Sequence, residues 1–199
     1  MKNPIEVSAA IETNELKQEI IGKKTFLDYF SVALATVGVG FIPLAPGTFG
    51  SLVGVLIYLF FARVEANSYA NFSPRGFSDL QITAWLHVFN ALVFLLFCFL
   101  GIWASSRAAK IFNDKDPQKV VVDEVIGQLV VFLFVPFGIS WKLILVGFLL
   151  FRLFDIWKPY PIDSLQNLSG GLGVCADDIL AGIYGGICLA LIYAIALSH

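Results

Sequence analysis

Two acidic pairs, Asp123-Glu124 and Asp177-Asp178, and a third acid, Asp155, set between Arg152 and Lys158, are the residues whose types and spacing could do chemistry. Brought together, five carboxylates repel one another strongly unless a cation sits among them. A hard divalent ion removes that conflict. Mg²⁺ prefers oxygen ligands, keeps several waters and commonly bridges carboxylates to a substrate phosphate. No softer metal site competes, because His87 lies within an apolar run, His199 stands alone at the end of the sequence, and Cys98, Cys175 and Cys188 lack metal-ligand spacing. A fourth segment, Pro43-Leu44-Ala45-Pro46-Gly47-Thr48-Phe49-Gly50-Ser51, ends one element with two prolines and a glycine and offers Thr48 and Ser51 at the start of the next. A helix N-terminus with free N–H groups and nearby hydroxyls binds phosphate.

Each segment also has an ordinary structural reading. Thr48 or Ser51 can be a plain helix cap, and Asp123 and Glu124 can serve the dipole of a helix they open. Arg152 and Lys158 can snorkel beside an interfacial Trp157. Asp177 and Asp178 are harder to explain this way, since a cap needs one carboxylate and two adjacent ones repel.

The elements that must position these groups are membrane helices. At 58% hydrophobic and 14% charged residues, the 199-residue chain is far more apolar than a soluble domain of about 45–50% apolar content. A bilayer core of about 30 Å needs about 20 helical residues. The runs 82–104 and 179–197 are long enough alone, whereas 51–64, 125–137 and 139–154 span only by recruiting flanking residues. Residues 32–43, with Gly38, Gly40 and Pro43, suit a half-depth segment. The pattern predicts an all-α, polytopic membrane bundle of about five spans plus that half-depth segment. Residues 1–24 read as a polar, water-facing tail and 25–199 as a single membrane-embedded domain.

Alternating crossings place Lys2, Lys17, Lys23, Lys24, Arg107, Lys110, Lys115, Lys119, Arg152 and Lys158 on one face, and Arg63, Arg75 and Lys142 on the other. The positive-inside rule makes the crowded face, which also carries the acids, cytoplasmic. A net charge of −2 without a basic cluster excludes a nucleic-acid partner.

Four segments in order, the glycine-threonine turn, Asp-Glu-x-x-Gly from Asp123, Phe-Arg-x-Phe-Asp-x-x-Lys-Pro from Phe151 and Asp-Asp-x-x-Ala-Gly from Asp177, resemble the phosphatidylglycerophosphatase A family of bacterial membrane lipid phosphatases. The resemblance runs from Pro43 to Gly182. It implies Mg²⁺-dependent removal of the terminal phosphate from phosphatidylglycerophosphate, giving phosphatidylglycerol, in the bacterial cytoplasmic membrane. The matching positions imply metal ligands at Asp123, Glu124, Asp177 and Asp178, phosphate contacts at Thr48, Ser51, Arg152 and Lys158, and catalytic roles for Asp155, Lys158 and Asp178. Asp155 completes the metal site or acts as a base, and attack by water and a phosphoaspartyl intermediate both stay open. Another lipid phosphomonoester, such as phosphatidic acid, is the alternative substrate. A cation or proton transporter is the rival class, and it is disfavoured because the acids flank the apolar runs rather than interrupting them. The sequence leaves the oligomeric state open.

Overall fold

Helices form over the apolar runs, and two of them start at capping serines, Ser78 and Ser140. The computed structural model describes residues 25–114, 117–166, 168 and 170–198, so the polar tail expected over residues 1–24 lies outside the described residues. Helix α1 (Phe26–Thr36) starts where the Asp28 carboxylate accepts hydrogen bonds from the Thr25 backbone N–H at 2.7 Å and the Thr25 hydroxyl at 2.8 Å. Those bonds, strengthened by Arg107 at 2.8 Å, hold the Asp28 carboxyl below its usual range. The Asp28–Arg107 pair ties α1 to α3 (Asp79–Phe112), the helix α1 packs on. A short 3₁₀ turn, Val39–Phe41, then leads to α2 (Pro46–Phe72), with Pro46 at the first helical position, where a missing N–H costs nothing.

Helix α3 opens with a capping box, in which Ser78 Oγ accepts from Gln81 N–H and Gln81 Oε1 accepts from Ser78 N–H. It ends at Asn113, whose left-handed φ of 53° suits an asparagine better than most residues. Helices α4 (Val122–Phe132), α5 (Trp141–Trp157), the single turn α6 (Ile162–Leu165) and α7 (Gly171–Leu197) follow. Among the described residues every regular element is helical, as the apolar pattern predicts.

The structure supports the expectation of five spans in part. Among the described residues three helices, α2, α3 and α7, are long and apolar enough to cross a membrane. Helix α4 has 11 residues, a rise of about 16 Å, and α5 has 17, about 25 Å. The bend between them lies beside the middle of α2, where Tyr58 donates a hydrogen bond to the Pro136 carbonyl at 3.4 Å. Tyr58 is about 18 Å along α2 from Pro46. Pro136 and Gly138, the latter at φ 79°, stop α4 before it reaches full depth. Helices α4 and α5 therefore form a hairpin whose open end lies level with the N-terminus of α2. Helix α1, at 11 residues, is likewise too short to cross, and it covers 26–36 where the half-depth segment was expected over 32–43.

Helix α4 is nonetheless the centre of the bundle. Val122, Val125, Ile126, Gly127, Val130, Val131 and Phe132 are buried, and the helix packs against both α2 and α7. Close approach to α7 requires a residue without a side chain, since a Cβ on Gly182 would sit 2.3 Å from the Gly127 carbonyl oxygen and 2.9 Å from Val130 Cβ. By contrast Leu92, Leu96 and Phe99 on α3 are exposed, an arrangement that suits hydrocarbon and not water. His87 is exposed on α3.

The α4–α7 seam yields a test. Gly182→Ala forces backbone apart and should destabilise the protein by about 1–3 kcal/mol, lowering the melting temperature in detergent by several degrees. Gly185→Ala meets nothing closer than 3.3 Å and should melt within about 2 °C of the parent.

Candidate functional site

The hairpin carries the start of α4 and the end of α5 to the same level as the N-terminus of α2 and the second turn of α7. That one end of the bundle collects all five acids. One carboxylate oxygen from each of Asp123, Glu124 and Asp178 lies within 4.8 Å of the others. Asp123 and Asp178 are 7% and 4% exposed, so little water screens them. At an effective dielectric constant of about 20, each ionised pair at that distance costs roughly 3–4 kcal/mol, or on the order of 10 kcal/mol for three. That equals the whole stability of a typical domain, about 5–15 kcal/mol.

The residues present fit a divalent cation. Asp123 Oδ1 and Glu124 Oε2 are buried without a hydrogen-bond partner, which leaves lone pairs uncommitted at the cluster. Octahedral Mg²⁺ at 2.0–2.1 Å places its oxygens about 3.0 Å apart when adjacent and about 4.2 Å apart when opposite, a span close to that of the three acids.

Asp177 and Asp155 face cations instead. Lys158 Nζ donates to Asp177 Oδ2 at 2.5 Å, and Arg152 Nη1 donates to Asp155 Oδ2 at 2.5 Å. Burial opposes the Lys158 charge, but the Asp177 hydrogen bond and the charges of Asp177, Asp178 and Asp155 outweigh it and hold the ammonium above the usual lysine range. Lys158 takes a left-handed φ of 45° as it closes α5, which turns its chain toward α7. The three-residue step from Arg152 to Asp155 sets that pair on one helix face. Arg152 Nη1 also approaches Ser51 Oγ at 3.4 Å, so the guanidinium joins α5 to α2.

The start of α2 completes the arrangement. Ala45 stands at its N-cap with no side-chain cap bond, so neither Thr48 nor Ser51 is the plain cap that spacing allows. Ser51 is fully buried and donates to the Gly47 carbonyl at 2.9 Å. Thr48 is half-buried in the first turn. Gly47 is there for space, since a Cβ would lie 2.3 Å from Glu124 Oε1 and 3.2 Å from Arg152 Nη1. A helix N-terminus without a side-chain cap, a guanidinium and a carboxylate cluster thus meet in one place, which is what a phosphate with a bridging cation requires. Asp177 and Asp178 sit two turns inside α7, which begins at Gly171. Capping does not explain them.

The cluster thus brings Asp123, Glu124 and Asp178 together, sets Asp177 beside Lys158 and Asp155 beside Arg152, and leaves Ser51 engaged with Gly47. Sequence reasoning assigned no role to Gln128, and it read Gly47 as ending the preceding element, whereas Gly47 lies in the first turn of α2. The signal for Gln128 was available, as it is a neutral polar residue inside an apolar run.

Comparison with known proteins bears on the same residues. A family model described as Phosphatidylglycerophosphatase A matches residues 32–193. A Haemophilus influenzae protein named Phosphatidylglycerophosphatase A is 34% identical over 177 residues, covering 88% of this chain and 93% of that protein. An Escherichia coli protein of the same name is 30% identical over 147 residues, covering 73% of each. A Bacteroides thetaiotaomicron protein named "Putative phosphatidylinositol-3-phosphatase" is 39% identical over 155 residues, covering 77% of this chain and 87% of that protein. No solved structure matches the chain.

The buried ion pairs make a testable claim that holds without any ligand. Lys158→Met leaves the Asp177 carboxylate buried and unpaired, and should destabilise the protein by about 3–5 kcal/mol. Adding Asp177→Asn should restore part of that loss, with a coupling of about 1–3 kcal/mol in a double-mutant cycle of detergent unfolding. Additive losses would show that the two groups do not interact.

Proposed function

The chain belongs to the phosphatidylglycerophosphatase A family and is a phosphatase, and we propose that it converts phosphatidylglycerophosphate to phosphatidylglycerol with Mg²⁺ held by Asp123, Glu124 and Asp178. The observation that carries this reading is the convergence of those three carboxylates, two with uncommitted oxygens, beside the uncapped start of α2 and Arg152. Bound there, Mg²⁺ would draw negative charge from the phosphoryl oxygens and hold the phosphate in place.

The protein's own groups do the rest. At the start of α2 the Gly47 N–H and the Thr48 hydroxyl receive phosphate oxygens, the Thr48 N–H being bonded to the Ala45 carbonyl at 2.9 Å, and Arg152 neutralises the charge that grows during transfer. Asp155 lies outside the trio and is held by Arg152, so it serves as the base that takes a proton from the attacking water. As the phosphorus–oxygen ester bond breaks opposite that water, the Lys158 ammonium stabilises the departing glycerol oxygen and returns a proton to it. Ser51 and Asp177 act by holding Arg152 and Lys158. The products are inorganic phosphate and the lipid alcohol.

The same chemistry fits a phosphoinositide, and the 39% identical relative named for a 3-phosphatase favours testing it. A transporter is not supported, since the acids collect at one end of the bundle and no ladder of carboxylates follows the long helices. The site end carries Arg107, Lys110, Lys119 and Lys158, and we place it in the cytoplasm and the chain in the bacterial cytoplasmic membrane. Because the α4–α5 hairpin enters and leaves on one side, it does not alter that sidedness.

Purified protein in mixed micelles should release phosphate from phosphatidylglycerophosphate with Mg²⁺ and not with EDTA, and more slowly from phosphatidic acid or a phosphatidylinositol 3-phosphate. No release from any of the three lipids refutes a lipid phosphatase, and faster release from the inositol lipid reassigns the substrate. Asp178→Asn removes like-charge repulsion at constant shape, so in EDTA it should melt at or above the parent. With Mg²⁺ the order should reverse, because the parent gains stability from bound ion, and turnover should fall about a hundredfold or more. Equal loss of stability in both buffers with near-normal turnover excludes the metal role. For sidedness, cysteine at Ser164 should react with impermeant maleimide only in inverted vesicles and cysteine at Ser73 only in whole cells. Reaction of both from one side contradicts the topology.

A further inference from the structure

Gln128 is fully buried, yet neither its amide nitrogen nor its amide oxygen has a hydrogen-bond partner. It is the one neutral polar side chain in the 11 residues of α4. Four residues separate it from Glu124, which puts the two on the same helix face, with Gln128 one turn deeper. Helix α2 is pared back along that face. A Cβ on Gly54 would lie 2.8 Å from Gln128 Cβ and 3.0 Å from its Cγ, as one on Gly47 would strike Glu124 Oε1. The chain therefore gives up side chains on α2 to house two polar groups on α4. A leucine at 128 would fill the same volume without burying an amide, and within a bilayer bulk water does not reach such a group. The two orphaned atoms are complementary, since Gln128 Nε2 can only donate and Glu124 Oε2 can only accept.

We propose that Gln128 is a positioning residue for the carboxylate centre, its amide N–H donating to Glu124 and fixing that carboxylate toward the cation. The proposal rests on the reading that Asp123, Glu124 and Asp178 hold a divalent ion. Metal-ligating carboxylates are commonly held by such outer hydrogen bonds, and their loss weakens metal binding by about 10- to 100-fold.

The test uses Mn²⁺ alone, titrated into the full-length protein in detergent and followed by the electron paramagnetic resonance signal of free ion, with Asp178→Asn as the reference for a broken site. Gln128→Leu should raise the Mn²⁺ dissociation constant by about 10- to 100-fold over the parent. Gln128→Met, unbranched and close in length, should do the same and serves if the leucine variant does not fold. Parent-like affinity, within about twofold, in a folded variant of either kind overturns the proposal. A merely structural glutamine would lower the melting temperature and leave that affinity unchanged. If the parent binds Mn²⁺ no better than Asp178→Asn, the cation reading itself is wrong and the role of Gln128 falls with it.

Discussion

Negative charge brought together out of water has to be matched by positive charge, and this requirement governs the end of the bundle where the five acids meet. Two are matched within the chain, Asp155 by Arg152 and Asp177 by Lys158. Among the described residues the other three form no ion pair with a cation, and the mutual repulsion of their ionised forms is comparable to the stability of a domain. Such a cluster, when ionised, suits an external cation at one defined point. On the proposed reading, a substrate phosphate would share that cation and be met by the helix end and guanidinium beside it.

The helices are arranged to keep this point fixed. A hairpin that stops partway along α2 lets α4 and α5 present opposite termini at the same level, so acids at the start of one lie beside cations at the end of the other. Helix α4 is hemmed in by α2 and α7 at distances that exclude side chains at Gly47 and Gly182. Such packing leaves the carboxylates few alternative positions, and it suits a bilayer, where association of helices depends on close contact rather than on hydrophobic driving force. Arg152 adds a polar tie between α5 and α2, and the Asp28–Arg107 pair adds another between α1 and α3.

The long helices do a different task. Leu92, Leu96 and Phe99 on α3, and Leu191 and Ile195 on α7, are exposed away from the site. They offer hydrocarbon a surface while the five acids of the site stay at one end. Dividing the molecule in this way allows a lipid to remain in its leaflet while its phosphate reaches the acids, and it keeps buried charge out of the middle of the bilayer, where each carboxylate would cost several kcal/mol.

Composition and run length by themselves determined that the chain is helical and apolar enough for lipid, because bilayer thickness sets a length that 82–104 and 179–197 meet without any tertiary information. Adjacent acids at 123–124 and 177–178 were equally legible as a demand for positive charge, since neighbouring carboxylates repel in any conformation, and the four ordered motifs pointed to the family to which the chain belongs. Helix ends were less legible. Asp177 looked like the opening of a span because the apolar run begins at Ile179, but glycines and a buried Cys175 extend α7 back to Gly171, a choice made by packing rather than propensity. Only the tertiary structure decided which acids share a point and which take a cation, because Asp177 and Asp178 are neighbours in sequence but lie about 100° apart around α7, one toward Lys158 and the other toward Asp123 and Glu124. It also decided that α4 and α5 turn back beside Tyr58, since an apolar run records affinity for lipid or core without distinguishing the two. Gln128 shows the same limit. Its residue type marks it as costly to bury, and only the position of α2 across that helix face shows that it is buried.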